Sequence, residues 1–262
     1  MLPVSRNLPL SKPATGARPL GVVSPDSAAE NIRQMFDSIA PTYDRANHLL
    51  SFGLDRTWWF RAARALRPIL SRPESVVLDL CCGTGDMTLA LYRHRPKDRP
   101  GRPAVPVYAA DFSHNMLALA RPKFAGKNIV AIEADALRLP LADSSVNLVT
   151  FAFGFRNLSS YSAGLAELRR VLRPGGEIAI LECNQPVGII GRLYDLYFQN
   201  VLPSLGGWIS RSRTAYRYLP YSVSQFPQPQ RMKQLILEAG LSNPTWTSYT
   251  FGTAGLYRAT RT

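Results

Sequence analysis

Short apolar runs and helical stripes alternate through the middle of this chain. The runs at 76–80, 107–110, 129–133, 146–153 and 177–183 read as buried strands. Helical stretches at 86–93, 114–123 and 160–172 separate some of them. That alternation predicts an α/β fold, a mostly parallel sheet with helices on both faces. Upstream, Ile32, Met35, Phe36 and Ile39 share one helical face from near Ala28 until Pro41 breaks the pattern. Two more helices are predicted over Tyr43–Ser51 and from Asp55 to about Leu66, before Pro68. Together they make a helical cap over 28–70. Leu172-Arg-Pro-Gly-Gly176 ends a helix and turns into the fifth strand. The aromatic and basic stretch 186–227 has mixed periodicity and reads as a helical insertion near the active face. Arg231–Ala239 is a helix closed by Gly240, and 243–250 with 253–260 forms a C-terminal antiparallel hairpin, giving seven strands.

Composition narrows the partners. A chain of 262 residues, 46% hydrophobic, can bury one large core, and no apolar run reaches the ~18 residues of a spanning helix. Residues 1–25 hold no acid, three basic residues and prolines at 3, 9, 13, 19 and 25. This predicts a disordered basic tail over 1–27, with an organelle transit peptide as the competing reading, and a single domain over 28–262. The formal charge of +13 points to a polyanion, nucleic acid or the anionic face of a membrane, without choosing between them. Three cysteines, two of them adjacent at Cys81-Cys82, fit a reducing compartment; with no Cys/His cluster, no metal is expected. The proline- and charge-rich stretch Arg93–Pro106 is expected to be a solvated surface loop.

Candidate chemistry gathers at the ends of the predicted strands. Asp79-Leu-Cys-Cys-Gly-Thr-Gly-Asp86 lies between a strand and a helix, where glycines admit a ligand to backbone N–H groups and the helix dipole favours it. A dinucleotide fingerprint needs a third Gly where Thr88 stands. An acid four residues before Gly83-x-Gly85 instead resembles the pattern of S-adenosylmethionine-dependent methyltransferases; a tight turn without a ligand is the alternative. Asp111, at the end of the second strand, is placed to accept both ribose hydroxyls or to cap the helix 114–123. Asp135 and Ala136 follow the third strand, within reach of an adenine edge. Asp79 and Asp86 flank the turn and are candidates to orient the amino-acid moiety. Gly154 and Arg156 follow the fourth strand; Arg156 can stabilise an oxyanion or pair with an acid such as Asp44.

A resemblance then becomes specific. Met35-Phe-Asp-Ser-Ile-Ala-Pro-Thr-Tyr-Asp44, Asn47 and Leu50-Ser-Phe-Gly53 resemble the opening signature of the ubiquinone/menaquinone biosynthesis C-methyltransferases. Phe153-Gly-Phe-Arg-Asn157, Arg170-Val-Leu-Arg-Pro-Gly-Gly176, Leu181-Glu182 with Pro186, Tyr216-Arg-Tyr-Leu219 and Phe226-Pro227 are similar to its later motifs. The likeness runs from about residue 30 to the C-terminus. It implies a Rossmann-like fold, S-adenosylmethionine as methyl donor and a prenylated quinol as acceptor. Carried over by position, the donor-binding residues are Thr84, Asp111, Asp135, Ala136 and Ala152, joined by Asp79, Gly83 and Gly85 from the glycine turn, and the catalytic pair is Arg156 and Tyr43. Cys81-Cys82, Asp111-Phe-Ser113 and Tyr249-Thr-Phe-Gly252 look more like the menaquinone branch, which implies demethylmenaquinol as substrate. A ubiquinone or phylloquinone precursor, or an RNA acceptor, is the alternative.

The resemblance also frames the mechanism. Arg156 is expected to favour the ring phenolate, Tyr43 to hold the ring or close over it, and a water or nearby carboxylate to take the proton. Residues 194–221 are expected to form the mouth for the isoprenoid tail, with ordinary core packing as the alternative. A cytoplasmic protein in peripheral contact with the inner face of an anionic membrane follows, with no nucleic-acid partner; a homo-oligomer stays open. His48 stands where members carry an acid or amide and is given no catalytic duty. Arg211-Ser-Arg213 replaces the acids usual before the late motif.

Overall fold

Strand β1 (Val77–Leu80) is buried at all four positions. Apolar side chains facing both ways are what a strand needs when helices cover each face of a sheet. A computed structural model of the chain describes residues 16–17, 25–97, 104–196 and 213–262. Four helices precede β1: α1 (Pro25–Ile39), α2 (Tyr43–Leu50), α3 (Leu54–Ala65) and α4 (Arg67–Leu70). α3 ends before Pro68 as expected, and Pro68 itself sits at the start of the short α4, where its missing N–H costs nothing. The chain then runs α5 (Asp86–Tyr92), β2 (Val107–Asp111), α6 (His114–Phe124), β3 (Ile129–Glu133), β4 (Val146–Ala152), α7 (Tyr161–Val171) and β5 (Leu172–Cys183). It closes with α8 (Gly188–Leu196), α9 (Arg213–Gln225), α10 (Pro229–Glu238), β6 (Ser242–Tyr249) and β7 (Ala254–Thr260).

The seven strands order as β3-β2-β1-β4-β5-β7-β6. The first five are parallel, and β7 runs antiparallel to both β5 and β6. The predicted α/β fold, mostly parallel with a C-terminal hairpin, is therefore observed. Period-two alternation divides the core. Leu78, Leu80, Ile178 and Ile180 pack with Leu165 and Leu168 of α7 and Met232 and Ile236 of α10. Val77, Leu148, Ala179 and Leu181 turn the other way, onto Trp58, Ala62 and Leu66 beside α5's Met87 and Leu91. Strand order reverses between β1 and β4, and in open α/β sheets ligands bind at the carboxyl ends beside such a reversal.

Two segments differ from expectation. Ala17 lies buried with its N–H on the Leu158 carbonyl (2.7 Å), and α1 begins at Pro25, so residues 17 and 25–27 of the expected 1–27 tail have a defined place in the fold. The remainder of that tail, residues 98–103 of the surface loop, and Tyr197, Phe198 and Trp208 of the aromatic stretch lie outside the described residues. Arg95, expected in solvent, is buried and donates to the carbonyls of Leu70, Arg72, Pro73, Ser75 and Val105 at 2.8–3.1 Å. Those carbonyls cluster where α4 ends and the chain approaches β1 and β2, and the four N–H groups of Nη1 and Nη2 serve all five, with sharing. Arg95→Ala is expected to lower the unfolding free energy by about 3 kcal/mol or more, measured by urea unfolding. A loss below about 1 kcal/mol would show that water replaces the clamp.

Candidate active site

The turn after β1 is built around backbone that only certain residues tolerate. Cys81 has a φ of 51° and Gly85 a φ of 91°. A side chain on Gly85 would also lie 2.5 Å from the Phe124 ring, so this glycine serves helix packing. The Gly83 N–H donates to Asp111 Oδ2 (2.8 Å), and the Ser113 N–H donates to Asp111 Oδ1 (2.9 Å). Ser113, not Asp111, caps α6 by accepting from the Met116 N–H (3.1 Å). Its hydroxyl donates in turn to Asp37 of α1 (2.5 Å). Burial pushes the Asp111 carboxyl up to about 6, against the opposing pull of the Ser113 and Gly83 N–H groups.

These residues face one cavity at the carboxyl ends of β1, β2 and β4. Gly83, Asp111, Asp135, Ala136 and Ala152 line it with Tyr43, as do Phe36, Phe112 and Met116. The two N–H bonds leave acceptor positions open on the Asp111 carboxylate, as a ribose diol requires, and the apolar walls suit a purine. Five expected donor residues are thus brought together. The other three lie elsewhere. Thr84 reaches a neighbouring cleft, and its hydroxyl donates to Asp44 of α2 (2.5 Å). Gly85 packs on Phe124 as described.

Asp79 corrects the reading of an acid aimed at the ligand. It is fully buried, and its two oxygens accept from the hydroxyls of Thr88 and Thr150, both at 2.6 Å. Thr150 is its register partner on β4. Asp79 therefore ties β4 and the start of α5 to β1 behind the turn, and Thr88 occupies the third-glycine position because it supplies one of those bonds. Burial raises the Asp79 carboxyl to about 6, partly offset by the two hydroxyls.

The helical cap is pinned over this turn by charge. Lys123 of α6 bridges Asp44 (2.8 Å) and Asp86 (3.2 Å). Tyr43, the first residue of α2, lines the Asp111 cavity, the cleft beside Thr84 and a third, larger cavity. Phe153 is the other residue common to all three, held at a φ of 61° after β4. Non-glycine residues at such angles are strained by roughly 1–3 kcal/mol and cluster where geometry serves a site. Next to it, a side chain on Gly154 would overlap Cys81, so the turns after β1 and β4 touch.

Arg156 follows, 6% exposed, and lines the larger cavity with Trp58, Trp59, Leu219 and Tyr194. Its partner is not Asp44. Nη1 donates to Glu182 Oε1 (2.5 Å) and to the Phe153 carbonyl (2.6 Å), and Nε to Ser222 Oγ (3.3 Å). Glu182 also accepts from the backbone N–H groups of Arg156 and Cys183. Nη2 makes no hydrogen bond among the described residues. Burial alone would pull the guanidinium down, but Glu182 beside it holds it above its ordinary value. Burial pushes Tyr43 up to about 12 despite the nearby Arg156, so its phenol keeps its proton and acts as a donor.

Sequence reading gave Glu182 no role, although an acid ending a buried strand demands an opposing charge. It also missed the pair His48 Nδ1···Asp55 Oδ2 (2.5 Å). Asp55 is buried, and its other oxygen accepts from the Arg56 N–H (2.8 Å). Among the described residues, no group of three or more His, Cys, Asp or Glu converges as a metal site would require.

Comparison with known proteins agrees with this geometry. The family model described as the ubiE/COQ5 methyltransferase family matches residues 25–261. A demethylmenaquinone methyltransferase of Deinococcus radiodurans is 44% identical over 229 residues, covering 86% of this chain and 90% of that one. A protein of the same name from Thermus thermophilus is 45% identical over 226 residues, covering 85% and 98%. Among solved structures, a SAM-dependent methyltransferase from Thermotoga maritima superposes with a TM-score of 0.61 at 16% identity, over 87% of this chain and 99% of that one, which speaks to the fold. With the motif strings, the strand order and a match over nearly the whole length in agreement, the chain belongs to the ubiE/COQ5 methyltransferase family.

Proposed function

We propose that the protein moves a methyl group from S-adenosylmethionine to a ring carbon of demethylmenaquinol, a prenylated naphthoquinol, forming menaquinol. The observation that carries this reading is the meeting of two cavities at Tyr43 and Phe153, one lined by Asp111 and Asp135, the other by Arg156 within aromatic and aliphatic walls. When bound, S-adenosylmethionine supplies a methyl already activated on a sulfonium. Asp111 accepts its ribose hydroxyls, and Asp135 and Ala136 meet the adenine.

The acceptor needs activation, because a phenol with a pKa of about 10 is mostly protonated at neutrality. Arg156 offers Nη2 to the ring oxygen and favours the phenolate, whose charge is shared with the ortho carbon. Glu182, Ser222 and the Phe153 carbonyl hold that guanidinium in place before substrate arrives. Tyr43, protonated, closes the wall between the two reactants. Fixing both groups at attack distance removes several kcal/mol from the barrier, on the order expected for oriented reactants. Complementation of a strain lacking this methylation step tests the reading: restored menaquinone supports it, and persistent demethylmenaquinone refutes it.

The rim of the larger cavity bears on where the substrate is met. Phe52 (74% exposed), which lines that cavity, and Phe251 (81%) stand on turns with φ of 53° and 57°, and Val187 and Ile189 are exposed as well. The turn of Phe251 is tied to the cavity wall, since Trp58 Nε1 donates to Thr250 Oγ1 (2.8 Å). Strained turns that hold large apolar rings in water fit insertion among lipid chains, and Arg45, Arg56 and Arg192 on the adjoining helices fit anionic headgroups. No helix among the described residues is long and apolar enough to cross a membrane. The reading is therefore peripheral contact, with the isoprenoid tail entering from the bilayer. Burial of each such ring is worth ~1.5–3 kcal/mol, so Phe251→Asp with Ile189→Asp should weaken binding to anionic vesicles at least tenfold. Unchanged co-sedimentation would remove the rim from this role.

A further inference from the structure

The methyl transfer needs a proton acceptor for the ring hydroxyl, and most acids and bases at the site are already engaged. Asp44 is held by Thr84 and Lys123, Asp86 by Lys123, and Glu182 by Arg156. Tyr43 keeps its proton. His48 differs. It lines the cleft that shares Tyr43, Asn47, Trp59 and Phe153 with the acceptor cavity, and its partner Asp55 lines that cavity. We infer that His48, oriented by Asp55, is the general base that removes the proton from the quinol hydroxyl. This inference rests on the quinol reading given above.

Three features carry it. A carboxylate is acceptor-only, so in the 2.5 Å bond to Asp55 the His48 Nδ1–H is the donor, and in the neutral ring Nε2 is the basic nitrogen. Asp55 cannot turn away, because it is buried and its second oxygen accepts the Arg56 N–H. The imidazole plane is steadied edge-on by Trp59, with ring centres 5.8 Å apart. Nε2 makes no hydrogen bond among the described residues, and the ring lines the cleft that adjoins both cavities through Tyr43 and Phe153. A base held by a carboxylate through its far nitrogen is the arrangement that other hydroxyl-activating sites use.

The step balances as follows. The hydroxyl proton passes to Nε2, and the oxygen's electron pair moves through the ring to the ortho carbon. That carbon bonds to the methyl as the carbon–sulfur bond breaks, its electron pair staying on sulfur. The same ring carbon then loses its hydrogen as a proton to water, and His48 returns its proton to the oxygen. One proton is released in all, and the imidazole is regenerated.

The test uses the full chain, S-adenosylmethionine and a reduced short-tail demethylmenaquinol. Wild-type turnover, measured first, stands or falls with the proposed function. His48→Gln and His48→Ala should each reduce kcat by about 10²-fold or more, the usual scale of a lost general base. Affinity for S-adenosylhomocysteine, read by calorimetry, should stay within twofold and serves as the check on folding. Added imidazole should restore at least a tenfold part of the His48→Ala rate, which a packing defect would not allow. Asp55→Asn should reduce kcat without rescue by imidazole. Turnover of His48→Gln within threefold of wild type, or a His48→Ala loss that imidazole leaves unchanged, overturns the assignment.

Discussion

Arg156→Ala is expected to lower kcat by about 10²–10³-fold, the scale seen when one donor to a developing oxyanion is removed. The donor's dissociation constant should stay within a factor of two, because the guanidinium lines the acceptor cavity and not the cavity of Asp111. Stability should fall as well. Glu182 is fully buried, and loss of its cation leaves an uncompensated charge, a change that costs about 3–5 kcal/mol in comparable buried pairs. Arg156→Lys separates the two effects: it keeps the charge for Glu182 but cannot also reach Phe153, Ser222 and substrate through a planar fork. Stability should then recover substantially while turnover stays low. Equal recovery of both would mean that charge alone matters. Stopped assays on reduced quinol, paired with urea unfolding, make the measurement.

Asp111→Ala should weaken donor binding by about 10²-fold or more, since charge-assisted hydrogen bonds contribute about 1.5–3 kcal/mol each and two hydroxyls are at stake. The wild type should show the same dependence through pH. The folded-state value of about 6 means that the carboxylate is ionised above pH 6 and protonated below it. Donor affinity should therefore be full above that value and fall towards tenfold per unit beneath it. The sign for folding is opposite. A carboxyl raised by burial binds its proton more tightly folded than unfolded, so its contribution to stability is present below the unfolded value and lost as pH rises through about 6. Asp79 adds to that trend without touching donor affinity. Calorimetry with S-adenosylhomocysteine from pH 5 to 8 should show the rise in affinity in wild type and its absence in Asp111→Ala.

Much of the frame was readable because burial writes itself into periodicity. Strands covered on both faces had to be continuous apolar runs, and β1, β2, β4 and β5 stand where those runs are. Asp111 was legible from its place at a strand end. Asp79 was not: its role depends on which residue of β4 lies opposite, and register with Thr150 is a property of the assembled sheet. Arg95 was misread because a charged loop next to prolines looks solvated, whereas four of the carbonyls it satisfies lie twenty or more residues earlier. Glu182 was visible as an acid in a buried run, yet its partner lies 26 residues away across two strands. His48 was given no duty and its pairing with Asp55 escaped notice, because the two meet across the break between α2 and α3. The turn between them carries Phe52 and Gly53 in the left-handed region.

The central claim is that one active site passes a methyl group to a carbon of a quinol ring. Its most direct measurement uses S-adenosylmethionine carrying a deuterated methyl group, a reduced demethylated naphthoquinol and the full chain, with the product resolved by NMR and mass spectrometry. The label is predicted on the ring carbon ortho to a hydroxyl, with both oxygens left free of it. Label on an oxygen, or a quinol recovered without label while the donor still binds, would contradict the account.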